Sequence, residues 1–232
     1  MNQIARLSRW ALPPALFLGL FAAPALAETI EIEAGRDATL IEDPQGAGAN
    51  GSGPYFFAGR TNQSRESVRR ALLYFDVSAI PRGAKVESAS LQLWLAPSNT
   101  GPVGLRLHRV LADWGEGPSY ASGGGGAPSL PGDATWIHRV FDTILWVRPG
   151  GQFVPRPSAS RTVDGPGPYT WDNPGMLAHD VQLWVAAPAR NFGWILVGDE
   201  TRSQTSQSFA SKENPDPSVR PRLTITYRLP PG

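Results

Sequence analysis

RALLYFDVSAIPRGAKVESASLQLWL (Arg70–Leu95) carries two strands and the turn between them. In its first part Ala71, Leu73, Phe75 and Val77 face one way, and Leu72 and Tyr74 face the other. A strand that is apolar on both sides is central and must be covered on both faces. Pro81-Arg82-Gly83 then supplies the turn, since proline presets one turn dihedral and glycine tolerates the other. From Val86 to Leu95 the pattern alternates. Ala89, Leu91, Leu93 and Leu95 lie on one side, and Ser88, Ser90, Gln92 and Trp94 on the other, which predicts a strand with one solvated face.

The same signal spreads outward from this block. Downstream, Val103–Leu111 alternates with Val103, Leu105 and Leu107 inward and Arg106 and His108 outward. Upstream, short strands are expected at Glu28–Glu33, Ala38–Glu42 and Tyr55–Ala58. Towards the end they are expected at Trp194–Val197, Gln207–Ser211 and Leu223–Tyr227. One helix is expected: Asn173 caps it, Pro174 suits its first turn, and Leu177, Val181, Trp184 and Val185 form an apolar stripe. Short strands split by turn clusters predict an all-β sandwich rather than a parallel α/β sheet. Gly115–Pro174 lacks sustained periodicity and is rich in Gly, Pro and Ser, yet it holds Trp136, Phe141, Trp146, Phe153, Tyr169 and Trp171. Disordered linkers are poor in aromatics, so this stretch is expected to be an ordered insertion that packs on the domain.

Residues 1–27 read as a signal peptide. Arg6 and Arg9 are followed by an apolar stretch and by Ala25-Leu26-Ala27, with cleavage expected after Ala27. The remainder, 28–232, is expected to be one domain, secreted or periplasmic, with no membrane insertion once the signal is removed. Loss of two arginines and no acid takes the formal charge from +1 to −1. So neutral a chain offers no global field for nucleic acid. It has no cysteine, so its core, or a core plus a metal ion, must hold it.

Several further pieces then match a known pattern in order: ADWGEG (Ala112–Gly117), DATW (Asp133–Trp136), DVQLWV (Asp180–Val185), NFGWILVG (Asn191–Gly198) and SKENPDPSVRPRLTITY (Ser211–Tyr227). With the block at Arg70–Leu95 they resemble DNRLRE-domain proteins. In those, a strand ending in Phe-Asp precedes a Pro-Gly turn and a strand opening Val-x-Ser-Ala-x-Leu. The resemblance implies a jelly-roll β-sandwich of an exported bacterial or archaeal protein. Some members look like carbohydrate-binding modules; many have no known role.

The residues themselves offer three functions. Aromatic rings are platforms for the C–H faces of sugars. Trp114, Trp136, Trp146 and Trp171 cluster in or beside the insertion, where His138, Arg139 and Arg148 add cationic groups, so a polysaccharide groove is one expectation. A structural or adhesive protein that binds another protein is the second, and predicts an exposed apolar patch. A hydrolase or lyase around His138 is the third, and requires a carboxylate or tyrosine hydroxyl beside that imidazole. The sequence lacks a Gly-x-Ser-x-Gly elbow, a His-Glu-x-x-His helix and a phosphate-binding glycine loop, which weighs against an enzyme. Asp37, Asp43, Asp76 and Glu213 are the loop carboxylates that a structural calcium ion would use.

Overall fold

The computed structural model describes residues 26–98, 101–173 and 175–230; the expected signal peptide, apart from Leu26 and Ala27, and Pro174 lie outside these residues. The strands are β1 (Ala27–Glu33), β2 (Arg36–Ile41), β3 (Gly48–Asn50), β4 (Tyr55–Arg60), β5 (Val68–Tyr74), β6 (Lys85–Leu95), β7 (Val103–Arg109), β8 (Ala127–Pro128), β9 (His138–Val140), β10 (Ile144–Leu145), β11 (Ala159–Val163) and β12 (Gly167–Asp172). Helix α1 (Met176–Ala186) follows, then β13 (Trp194–Val197), β14 (Gln207–Ala210) and β15 (Arg222–Arg228). The all-β sandwich expected from the sequence is present, with one α-helix among the described residues.

One layer runs β1–β15–β6, all antiparallel, with β12 on the other edge of β6 and β14 continuing the line of β15. The second layer runs β11–β7–β13–β5–β2–β3–β8. Strand β4 belongs to both. Its first residues pair with β14, and Gly59 and Arg60 pair with β5. Gly59 sits at this corner with φ +120°, and a Cβ there would lie 2.5 Å from the Thr205 carbonyl oxygen. Only glycine satisfies both the dihedral and the close approach.

Between the layers lies a core of alternating side chains, including Leu73, Leu91, Leu93, Leu105, Leu107, Phe209, Leu223 and Ile225. The strand that opens the block ends at Tyr74 rather than at the expected Val77, but Phe75, Val77 and Ile80 stay buried in this core beyond it. Helix α1 closes one end. Asn173 caps it through Oδ1, which accepts the Met176 N–H at 3.2 Å. Its apolar stripe, Leu177, Val181 and Trp184, enters the same core, where Trp184 meets Trp194 at 4.4 Å between ring centroids. Gln182 takes the place of a neighbouring strand along the start of β6, accepting the Val86 N–H and donating to the Ala84 carbonyl. On the inner side of the helix, buried Asp180 accepts hydrogen bonds from Ser158 Oγ at 2.5 Å and Trp194 Nε1 at 2.9 Å. Arg109 Nε lies 2.9 Å from its other oxygen, an ion pair whose N–H is not aligned as a hydrogen bond.

A second core lies on the outer face of the second layer. Ala38, Leu40, Leu72 and Ile195 point outward from β2, β5 and β13 and are covered by Val110, Trp114, Ala134 and Trp146, with Trp136, Phe153 and Phe192 at its margin. The doubly apolar β5 is therefore covered on both sides, as its pattern predicts. The covering segment is shorter than the expected insertion of 115–174. Its last part forms β11 and β12, which are integral strands of the two layers, paired with β7 and β6. Their alternation is masked in the sequence because the outward positions carry Ser, Arg, Thr and Pro and the buried ones are few.

Candidate functional site

The expected aromatic groove does not form. Trp114 is buried, donates its indole N–H to the Phe192 carbonyl at 3.0 Å and lies 4.8 Å below the Arg36 guanidinium. Trp146 is buried and donates to the Thr135 carbonyl at 3.0 Å. Trp136 is half-buried under Arg70, whose guanidinium is held by both oxygens of Glu200 at 2.7 and 2.9 Å. Trp171 is in the other core, between the layers, 5.9 Å from Phe209. Trp114, Trp136 and Trp146 pack the covering segment down because the outer face of β5 would otherwise be left apolar and wet; a buried indole offers no face to a sugar.

His138 and Arg139 lie on β9, away from Trp171. His138 Nδ1 is 3.0 Å from Thr135 Oγ1, and its ring meets Phe141 edge-on at 5.3 Å. Among the described residues no carboxylate or tyrosine hydroxyl bonds to it, so the acid–base site expected there is not assembled. Arg139 donates to the Asp113 carbonyl at 2.9 Å. What the hairpin β9–β10 does expose is aliphatic: Ile144 is 43% exposed, Leu145 61% and Val147 78%.

The four expected calcium ligands also separate. Asp43 accepts the Gln45 N–H and Asp76 the Ser78 N–H, each closing its own turn. Asp37 and Glu213 do come together, and Glu116, which sequence reading passed over, joins them. Asp37 is 3% exposed and accepts the Lys212 backbone N–H at 2.7 Å, while its own N–H donates to Glu116 Oε1 at 2.7 Å. The Lys212 ammonium lies 3.3 Å from Glu116 Oε2 and against Glu213 Oε1. Burial, then the neighbouring Glu213 charge, pushes the Asp37 carboxyl well above its ordinary range. Burial likewise raises Glu116. For Lys212, burial pulls the ammonium down, but the bond to Glu213 and the charges of Glu116 and Glu213 leave it raised. This arrangement does not fit a calcium ion: a cation, the lysine's own, already stands against two of the carboxylates, and no three acidic or histidine side chains among the described residues are placed to share a metal.

An uncovered polar surface is formed by the outer face of β1–β15–β6–β12. Its alternate residues are polar and stand in cross-strand rows. Glu33, Arg222, Gln92 and Thr170 form one row, Glu31, Thr224, Ser90 and Asp172 the next, and Thr29, Thr226 and Ser88 a third. Thr29 and Thr226 share a 3.0 Å hydrogen bond, and Arg222 is held by Glu31 at 2.5 Å and Glu33 at 3.1 Å. At the end of this face Trp94, 38% exposed, stands across from Pro168. The alternation of Trp94 with Ser90 and Gln92 was the signal for it; β12, which widens the platform, gave none. A β-sandwich with one bare polar face and one sealed face is the class that fold and site define. No family model matches the chain, and no curated protein matches it.

Proposed function

We propose that this chain is an exported, non-catalytic binding module for polysaccharide, and that the ligand lies along the bare face of β1–β15–β6–β12. The observation that carries this reading is Trp94, an indole held in the open at the end of rows of hydroxyl, amide and carboxylate groups. Aromatic faces hold the C–H faces of sugar rings, and such polar rows supply donors and acceptors for their hydroxyls. The face carries Glu31, Glu33 and Asp172 against Arg222, so it favours neutral chains over uronate polymers. The signal-peptide pattern and the resemblance to DNRLRE-domain proteins agree with this reading. Affinity electrophoresis tests it. Retardation by a neutral polysaccharide, lost in Trp94→Ala with an unchanged melting temperature, is expected. No retardation by any neutral or uronate polymer overturns it.

A protein partner is the second reading, favoured by the exposed Ile144, Leu145 and Val147 on the hairpin β9–β10. It predicts that Leu145→Glu abolishes capture of that partner while Trp94→Ala does not.

A further inference from the structure

Three segments meet beside one edge of the second layer: 103–112, which contains β7, 143–163, which ends in β11, and 181–198, which contains β13. Main-chain bonds hold them together. β7 pairs with β11 on one side and β13 on the other, and the Leu111, Val154 and Ser158 N–H groups donate to the Gln152, Arg109 and Leu107 carbonyls. These segments carry Arg106, Arg109, Arg148, Arg156, Arg161 and Arg190, and neither an acid nor a lysine. In a chain of formal charge +1 that is a strong local excess. Arg109 is taken by Asp180. The other five side chains are exposed and make no ion pair or hydrogen bond among the described residues. Of the acids outside these segments, Glu200 is occupied by Arg70 and Asp113 by Arg36, while Asp142 and Asp164 flank 143–163 in the chain. We propose that this basic ridge is a docking surface for an anionic lipid bilayer, with its arginines on headgroup phosphates and Leu145 and Val147 against the acyl boundary.

The combination of groups selects this partner. Leu145 and Val147 are the most exposed aliphatic side chains of the three segments, and Val147 shares a hollow with Arg148, Phe153 and Pro155. Leu111 shares another with Arg109 and Arg190. A guanidinium presents a planar fork that matches phosphate oxygens. Basic side chains are drawn to an anionic leaflet, and apolar tips beside them gain by entering its interface. A soluble polyanion would meet the arginines but leave the aliphatic tips in water. Adsorption of this kind needs no spanning segment. It is independent of the polysaccharide reading, whose face belongs to the other layer, and it assigns the hairpin's aliphatic groups to lipid.

Co-sedimentation with vesicles tests this. The chain is expected to bind phosphatidylcholine vesicles containing about one-third phosphatidylglycerol in about 0.1 M salt, and not vesicles of phosphatidylcholine alone. Each arginine near such a surface is worth about fivefold in partition, so Arg148→Gln with Arg156→Gln is expected to bind about 25-fold more weakly at an unchanged melting temperature. Leu145→Glu with Val147→Glu is expected to lose at least about tenfold, and Trp94→Ala nothing. Absence of binding to the anionic vesicles overturns the proposal, as does equal binding to phosphatidylcholine alone or a double arginine variant that binds like the wild type. Retardation by a uronate polymer without vesicle binding overturns it too. Loss of protein capture in Leu145→Glu without vesicle binding returns the hairpin to the second reading and overturns this one. If the arginine variant melts lower than the wild type, salt carries the test: raising it to about 0.5 M is expected to weaken wild-type binding by at least about tenfold, and no weakening overturns the proposal.

Discussion

Replacing Trp146 by alanine distinguishes a second core from a loosely laid flap. Trp146 is buried, its indole N–H ends on the Thr135 carbonyl at 3.0 Å, and its ring belongs to the cluster that covers Leu40, Leu72 and Ile195. Truncating a buried tryptophan costs about 3–5 kcal/mol in transfer and cavity terms. The orphaned carbonyl falls within that range if water reaches it and adds about 1 kcal/mol if it does not. For a domain of this size each kcal/mol is worth about 2–4 °C, so the loss predicts a fall in melting temperature of about 6–20 °C. Urea melts followed by far-ultraviolet circular dichroism give the free energy directly. Trp94→Ala is the internal control, since that ring is more than a third exposed and its removal is expected to cost under about 1 kcal/mol. A Trp146→Ala loss below about 1 kcal/mol, with an unchanged denaturant slope, refutes the reading that the covering segment is packed as core.

Asp180→Ala strips two hydrogen bonds and an ion partner from a buried site at once, leaving Arg109 uncompensated. A loss of about 3–5 kcal/mol is expected in the same urea melts, with Asp180→Asn losing less. Gly59→Ala meets both a left-handed dihedral and the Thr205 carbonyl, so it is expected to reduce soluble yield or lower the melting temperature by about 5 °C or more, whereas Gly101→Ala, with open space around it, does neither. Asp37→Asn tests the buried carboxyl. Its folded pKa lies above the ordinary 3.8, so the folded state binds a proton more tightly than the unfolded one, and the stability this confers is present at low pH and lost as pH rises through the folded value. The variant is therefore expected to gain on the wild type as pH increases from about 4 towards neutrality, read from stability at a series of pH values; a difference that does not change with pH contradicts the assignment.

The parts of this fold that could be read from the sequence are those where one face of a strand is solvated. β6 and β15 show a period of two residue by residue, and β13 shows a short fully apolar run. β11 and β12 escaped because proline, glycine and polar edge positions outnumber their buried residues. The tryptophans were ambiguous in a specific way. Aromatic richness suits a sugar groove and a hydrophobic cover equally, and periodicity does not separate the two. Yet the deciding fact was in the chain: Leu72 on the second face of β5, with Leu40 and Ile195 beside it, demanded a cover, and the covering segment's aromatics supply it. The junction at Lys212 was only half legible. Asp37 and Glu213 stood out as loop acids, but nothing local announces that Glu116 approaches across the fold, or that a lysine one residue from Glu213 turns back onto it rather than to solvent.

The pairing of β1 with β15 has a mechanical consequence. Ala27 stands opposite Arg228, so the outer ends of both strands leave the sheet at the same corner. Tension applied between those two points pulls the strands apart across their hydrogen bonds, which then open one pair at a time from that corner, like a zipper, instead of sharing the force along the whole ladder. β1 is an edge strand whose side chains are largely exposed, so little packing resists the peeling. Stretched in this direction, the domain is expected to yield at low force and to re-zip when released.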